Sequence, residues 1–138
     1  MEMRAIILVG HGSSMPHNKE VVSALADKLK KGSKWDAVSY SFMNMNTPSI
    51  KDAIENVCQD PRVTSIVMAP VFVAPGVHIK EDVPAILGLE NGEKVKDMEI
   101  NGKIRRFYYS DPFGADDRLV DIINDRACET VKRCTSKG

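Results

Sequence analysis

The sequence predicts an α/β fold: an open, four-stranded parallel sheet with helices on both faces, in three layers. Three observations predict it. Short apolar runs alternate four times with segments of helical periodicity. The first run, AIILV at residues 5–9, is apolar at every position, the pattern of a strand buried on both faces. No linker or low-complexity stretch breaks the alternation, so the 138 residues read as one domain, long enough to bury about two-thirds of its unfolded surface.

The elements follow in order. After the strand at 5–9, residues 16–31 carry Val21, Val22, Leu25 and Leu29 at helical spacing. Residues 37–42 read as the second strand. Residues 49–58 read as a helix, with Pro48 ahead of it and Ile50, Ala53, Ile54 and Val57 on one face. The segment VTSIVMAPVFV, 63–73, is the most apolar and is expected to be central, with Pro70 at or near its end. A short helix is expected over 81–87, and a loop or small hairpin over 88–103, where periodicity is lost. Residues 104–109 form the fourth expected strand. A last helix is expected over 115–132, with Leu119, Ile122, Ile123, Ala127 and Val131 on its inner face. Crossovers between parallel strands should be right-handed.

Composition narrows the function. Nineteen basic and nineteen acidic residues balance to zero net charge, and no block of like charge appears, which argues against nucleic acid and anionic membrane as partners. Neither a leader nor an apolar span of about 20 residues is present, so a cytoplasmic protein is expected. Cys58, Cys128 and Cys134 show no C-x-x-C spacing and are expected to be reduced thiols.

The chemistry concentrates in two loops. In an open parallel sheet the crevice lies beyond the carboxyl ends of the strands. His11 follows the first strand, between Gly10 and Gly12. His78 follows the third, after the small-residue turn APG. Both imidazoles are thereby expected at one sheet edge. A neutral imidazole binds Co, Ni, Fe or Zn and, with a pKa near 6.5, also accepts protons. Glu81, three residues after His78, either orients it, supplies a further ligand or opens a helix. His17 is expected at the surface, and Met43 and Met45 in a pocket wall or the core. Gly12, Ser13 and Ser14, ahead of a helix, offer backbone N–H groups to an anion, without the lysine of a P-loop or the third glycine of a dinucleotide site.

Three blocks then resemble a known family: LVGHGSS at 8–14, PVFVAPGVHIKEDVPAILGL at 70–89 and DPFGADDRLVDIINDRA at 111–127. In this order they are similar to the small archaeal-type sirohydrochlorin chelatases, which insert cobalt or nickel into a modified tetrapyrrole. The resemblance implies a flavodoxin-like chelatase lobe spanning 1–138. It implies His11 and His78 as the catalytic pair, binding metal and accepting protons; Glu81 stays a further metal-ligand candidate on its spacing alone. Gly12, Ser13, Ser14, Asn44, Pro75, Gly76 and Lys80 are the candidate substrate-binding positions. Asn44 stands where family members often have an acid, and Pro75 where many have a histidine, so His78 is the sole histidine of its loop. The loop before the fourth strand lacks the histidine-rich tract of some members, so metal storage is not expected there.

The resemblance implies no permanently bound cofactor, Co²⁺ or Ni²⁺ as substrate metal, and a homodimer, because longer relatives join two such lobes in one chain. Two other readings stay open on the residues alone. A non-catalytic tetrapyrrole or metal carrier needs the same pocket without turnover. A phosphate-site hydrolase with His11 as nucleophile needs arginines, for which Arg105, Arg106 and Arg118 are available.

Overall fold

The computed structural model describes residues 1–74, 83–90 and 92–135. Strands β1 (Met3–Gly10), β2 (Ala37–Phe42), β3 (Val63–Pro70), β4 (Val95–Ile100) and β5 (Lys103–Tyr109) form one sheet, in the order β2-β1-β3-β5-β4. The first four in that order run parallel; β4 is antiparallel to β5. The helices are α1 (His17–Lys31), α2 (Ile50–Val57), α3 (Val83–Ile86) and α4 (Asp117–Thr135).

The fully apolar first strand does bury both faces. Ala5, Ile7 and Val9 pack with Ile50, Ala53 and Ile54 of α2 and with Val83 and Leu87, whereas Ile6 and Leu8 pack on the opposite face with Val22 and Ala26 of α1. Helices α1 and α2 therefore lie on opposite faces, as a three-layer fold requires. Helix α2 opens at Ser49, whose Oγ accepts from the Asp52 amide at 3.1 Å.

Three expectations need correction. The sheet has five strands, not four, and is mixed: the stretch expected to form a loop or small hairpin supplies β4. Its turn is Asn101–Gly102, both at positive φ (54° and 74°), the geometry of a tight hairpin turn. Because β4 is an edge strand with alternate residues exposed, its charges masked the strand signal. The third strand ends at Pro70, the residue expected at or near its end, three residues short of 73. Finally, the apolar side of the last helix is not an inner face: α4 has no buried residue, and Ile122, Ile123 and Val131 are exposed.

Arg105 is 1% exposed at the amino edge of the sheet. Its Nη1 donates to the carbonyls of Val63 (2.8 Å) and Asp60 (3.1 Å), and its Nη2 to those of Cys58 (2.8 Å) and Ile100 (3.3 Å). One guanidinium thus ties the end of α2, the start of β3 and the end of β4. Burial pushes the Cys58 thiol up, against the opposing charge of Arg105. The three cysteines are free, Cys58 buried and Cys128 and Cys134 exposed. No helix among the described residues is long and apolar enough to cross a membrane.

Candidate functional site

The chain leaves β1 for β2 on one side and returns past β1 to β3 on the other, so the strand order reverses between β1 and β3. At such a switch point the loops diverge and open a crevice beyond the carboxyl ends. His11 begins the loop after β1, and Val71 begins the loop after β3, its amide donating to the Val9 carbonyl at 2.9 Å. Phe72 meets the His11 ring edge to face, centroids 5.9 Å apart.

The exposed His11 lies with Nδ1 3.1 Å from the Gly12 carbonyl oxygen. A carbonyl only accepts, so in a neutral ring this contact puts the proton on Nδ1 and leaves the lone pair on Nε2. That tautomer is the one a metal-binding or proton-accepting Nε2 needs. Gly12 itself cannot be replaced freely. Its φ is +89°, and a Cβ there would lie 1.8 Å from the Asn44 carbonyl oxygen. The loops after β1 and β2 therefore touch backbone to backbone.

Two asparagines complete the loop. The Gly12 amide donates to Asn18 Oδ1 at 3.0 Å and the Ser13 amide to Asn46 Oδ1 at 2.8 Å, while Ser13 Oγ accepts from the Met15 amide at 3.1 Å. The amides of Gly12 and Ser13 are thus engaged within the loop. Helix α1 begins at His17, so Ser13 and Ser14 precede it by several residues instead of opening it. An anion cradle built from those amides is not formed. A groove of about 500 Å³ bounded by Ser14, Lys19 and Asn46 adjoins the loop.

Asn44 is exposed beside Gly12, Met43 is half-buried against the core, and Met45 is exposed with φ 62°. His17 is at the surface, 3.7 Å from Glu20. Pro75, Gly76, His78, Lys80 and Glu81 lie outside the described residues. The chain on either side is placed: the Val73 carbonyl accepts from the Gly114 amide at 2.7 Å, and Val83 is buried. Among the described residues no three His, Cys, Asp or Glu side chains group as a metal site.

The arginines required by a phosphate site are committed elsewhere. Arg105 is the buried clamp at the opposite edge. Arg106 holds Asp97 at 2.8 Å and Arg118 holds Asp116 at 2.8 Å, both through two nitrogens. Asp97 and Asp116 are accordingly pulled below the usual carboxylate range by their arginine hydrogen bonds.

Comparison with known proteins places this edge in context. The sequence model of the CbiX family matches residues 5–130. The chain belongs to the CbiX family. A sirohydrochlorin cobaltochelatase of Methanosarcina barkeri is 40% identical to it over 131 residues, spanning 94% of this chain and 98% of the relative. One from Methanothermobacter thermautotrophicus is 40% identical over 136 residues, spanning 91% and 92%. Among solved structures, the CbiX protein of Marinobacter aquaeolei superposes with a TM-score of 0.65 at 26% identity, covering 94% of this chain and 98% of that one. The sirohydrochlorin chelatase SirB of Bacillus subtilis, solved with cobalt, shares the fold with a TM-score of 0.72 at 20% identity, and the match covers 94% of this chain but 51% of SirB.

In this CbiX-family chain, sequence reasoning had missed Asn18, Asn46 and Phe72. The two asparagines act as acceptors for loop amides, a role that asparagine near a turn signals in general. Phe72 sat inside a segment read as strand, which hid its place beside His11.

Proposed function

We propose that this protein inserts a divalent metal, cobalt or nickel, into sirohydrochlorin. The observation that carries the reading is His11 at the switch point, its Nδ1 proton held by the Gly12 carbonyl so that Nε2 keeps the lone pair. The 40% identity to sirohydrochlorin cobaltochelatases over nearly the whole chain supports the substrate.

In this reading His11 and His78 hold the metal above the ring, with Glu81 orienting His78 or adding a ligand. Insertion exchanges one divalent ion for two pyrrole protons, and the neutral imidazoles take those protons as the metal passes to the ring nitrogens. A weak grip on the metal suits transfer. Ser14, Asn44 and Lys80 meet the substrate's carboxylates and edge, and Gly12, Ser13, Pro75 and Gly76 shape the loops around it. Two copies of the lobe form a homodimer that encloses the tetrapyrrole, just as SirB is about twice as long as the part this chain matches.

The test is a spectrophotometric assay with the protein at low concentration, excess sirohydrochlorin, and Co²⁺ or Ni²⁺ in parallel. Many turnovers per chain are expected above the metal-only control. A single metallated ring per site would replace the enzyme by a carrier. His11→Ala and His78→Ala should each lower insertion at least 100-fold, since general acid–base catalysis alone contributes roughly 10²–10⁴-fold. Their circular dichroism should match the parent, and full activity in either variant would refute the assignment.

A further inference from the structure

The loop that carries His11 is braced at two successive peptide groups by two different asparagines, and only one of those peptides faces the imidazole. The His11–Gly12 peptide gives its N–H, on Gly12, to Asn18 Oδ1 at 3.0 Å. The Gly12–Ser13 peptide gives its N–H, on Ser13, to Asn46 Oδ1 at 2.8 Å. The carbonyl of that same peptide, on Gly12, accepts from His11 Nδ1 at 3.1 Å. Asn46 and His11 thus sit on opposite sides of one amide group.

That placement acts in two ways. Glycine takes either sign of φ, so the backbone at Gly12 does not by itself choose which way the Gly12–Ser13 carbonyl points; a partner on the N–H of that peptide does. An amide whose N–H donates is also polarised, so its carbonyl accepts more strongly. Asn46 therefore both aims and strengthens the acceptor that keeps the proton on Nδ1. A carboxylate or carbonyl in direct contact does the same for metal-binding histidines in general.

The loop after β2 adopts a strained turn to bring Asn46 there. The Asn46 amide donates to the Asn44 carbonyl at 2.7 Å, closing a three-residue turn with Met45 at its centre, at φ 62°. A turn of this kind with positive φ at a non-glycine residue is rare and strained. Met45 is 70% exposed, so its own packing does not account for the strain. What the turn does achieve is to bring the half-buried Asn46 against the loop after β1, 33 positions away in the chain.

We infer that Asn46 is a positioning residue for His11: through the Gly12–Ser13 peptide it holds the imidazole with its proton on Nδ1 and the Nε2 lone pair free for a metal or a proton. The consequence for turnover rests on the metal-insertion reading; the tautomer does not.

The test uses the full chain with ¹⁵N-labelled histidine at about pH 9, where imidazole is neutral. Long-range ¹H–¹⁵N correlation spectra separate a protonated ring nitrogen from a bare one, and the His11 signals are those missing from His11→Ala. Wild type and Asn46→Asp, which keeps the acceptor, should carry the proton on Nδ1. Asn46→Leu, of similar size without the acceptor, should move about half or more of it to Nε2. It should also lower cobalt insertion by about 10–100-fold, the usual effect of losing an outer-shell partner, with Asn46→Asp restoring it. Asn18→Leu frees an amide of the same loop on the other peptide and should keep the wild-type tautomer. An unchanged tautomer in Asn46→Leu overturns the inference whatever the insertion assay reads. So does an equal change in Asn18→Leu, since the loop as a whole, and not the one peptide, would then hold the ring. Wild-type protein that inserts no metal overturns the reaction reading instead, and that result precedes any variant.

Discussion

Gly12 shows how much of this site rests on a missing side chain. Its positive φ and the nearness of the Asn44 carbonyl allow the loops after β1 and β2 to close on each other, and that closure sets the carbonyl that receives the His11 Nδ1 proton. Gly12→Ala should therefore cost roughly 2–3 kcal/mol, from backbone strain and the displaced Asn44 carbonyl. It should also lower metal insertion in the fraction that stays folded. Urea denaturation reads the first effect; an unchanged midpoint would mean that the loop relaxes without cost. The histidine and its glycines were legible in the sequence because a polar residue between two glycines at the end of an apolar run has few structural uses. The Asn18 and Asn46 contacts were not, because they join residues distant along the chain or separated by a turn whose shape the sequence does not state.

At the scale of elements, the amino edge of the sheet is held independently of the site. Arg105 satisfies carbonyls from α2, β3, β4 and the turn before β3, groups that would otherwise be buried without donors. Arg105→Ala should destabilise the fold by about 3–5 kcal/mol, as loss of a buried charged donor leaves several acceptors unsatisfied. Insertion per folded molecule should be unchanged, because the clamp and His11 lie at opposite ends of the strands. A loss of specific activity larger than the loss of folded protein would contradict that separation. The β4–β5 hairpin was partly legible: Asn101–Gly102 is a strong turn signal, but the flanking Lys, Asp and Glu of the edge strand obscured the alternation.

Across the whole molecule, charge contributes through local pairs rather than through net charge. The side-chain and backbone hydrogen bonds from Arg62 hold the Asp60 carboxyl down at about 2, below its ordinary 3.8. A lowered carboxylate pKa stabilises the native state at pH above the unfolded value, and this contribution is lost as pH falls through the folded value. Wild type should thus exceed Arg62→Gln in stability by a constant margin from about pH 7 down to about pH 4, and the margin should close between about pH 4 and pH 2. Urea midpoints of both proteins across that range check it; a margin that widened on acidification would reverse the sign. Asp60 is exposed to solvent in part, so screening by salt should shrink the margin as well.

By itself the sequence determined the α/β class, the placement of α1, α2 and the four parallel strands, and the family, because hydrophobic periodicity and short motifs are local properties of a chain. It also put His11 at the carboxyl edge of the sheet, since the loop that follows a parallel strand begins there. Only the tertiary structure decided the antiparallel fifth strand, the asparagine contacts that hold the His11 loop, and the course of α4. An amphipathic stripe records that a helix must be covered; it carries no information about which surface, or which copy of the chain, covers it. The segment 110–116 sets where α4 leaves the sheet, through hydrogen bonds to the end of β3 and the loop after it that exist only once the sheet has formed.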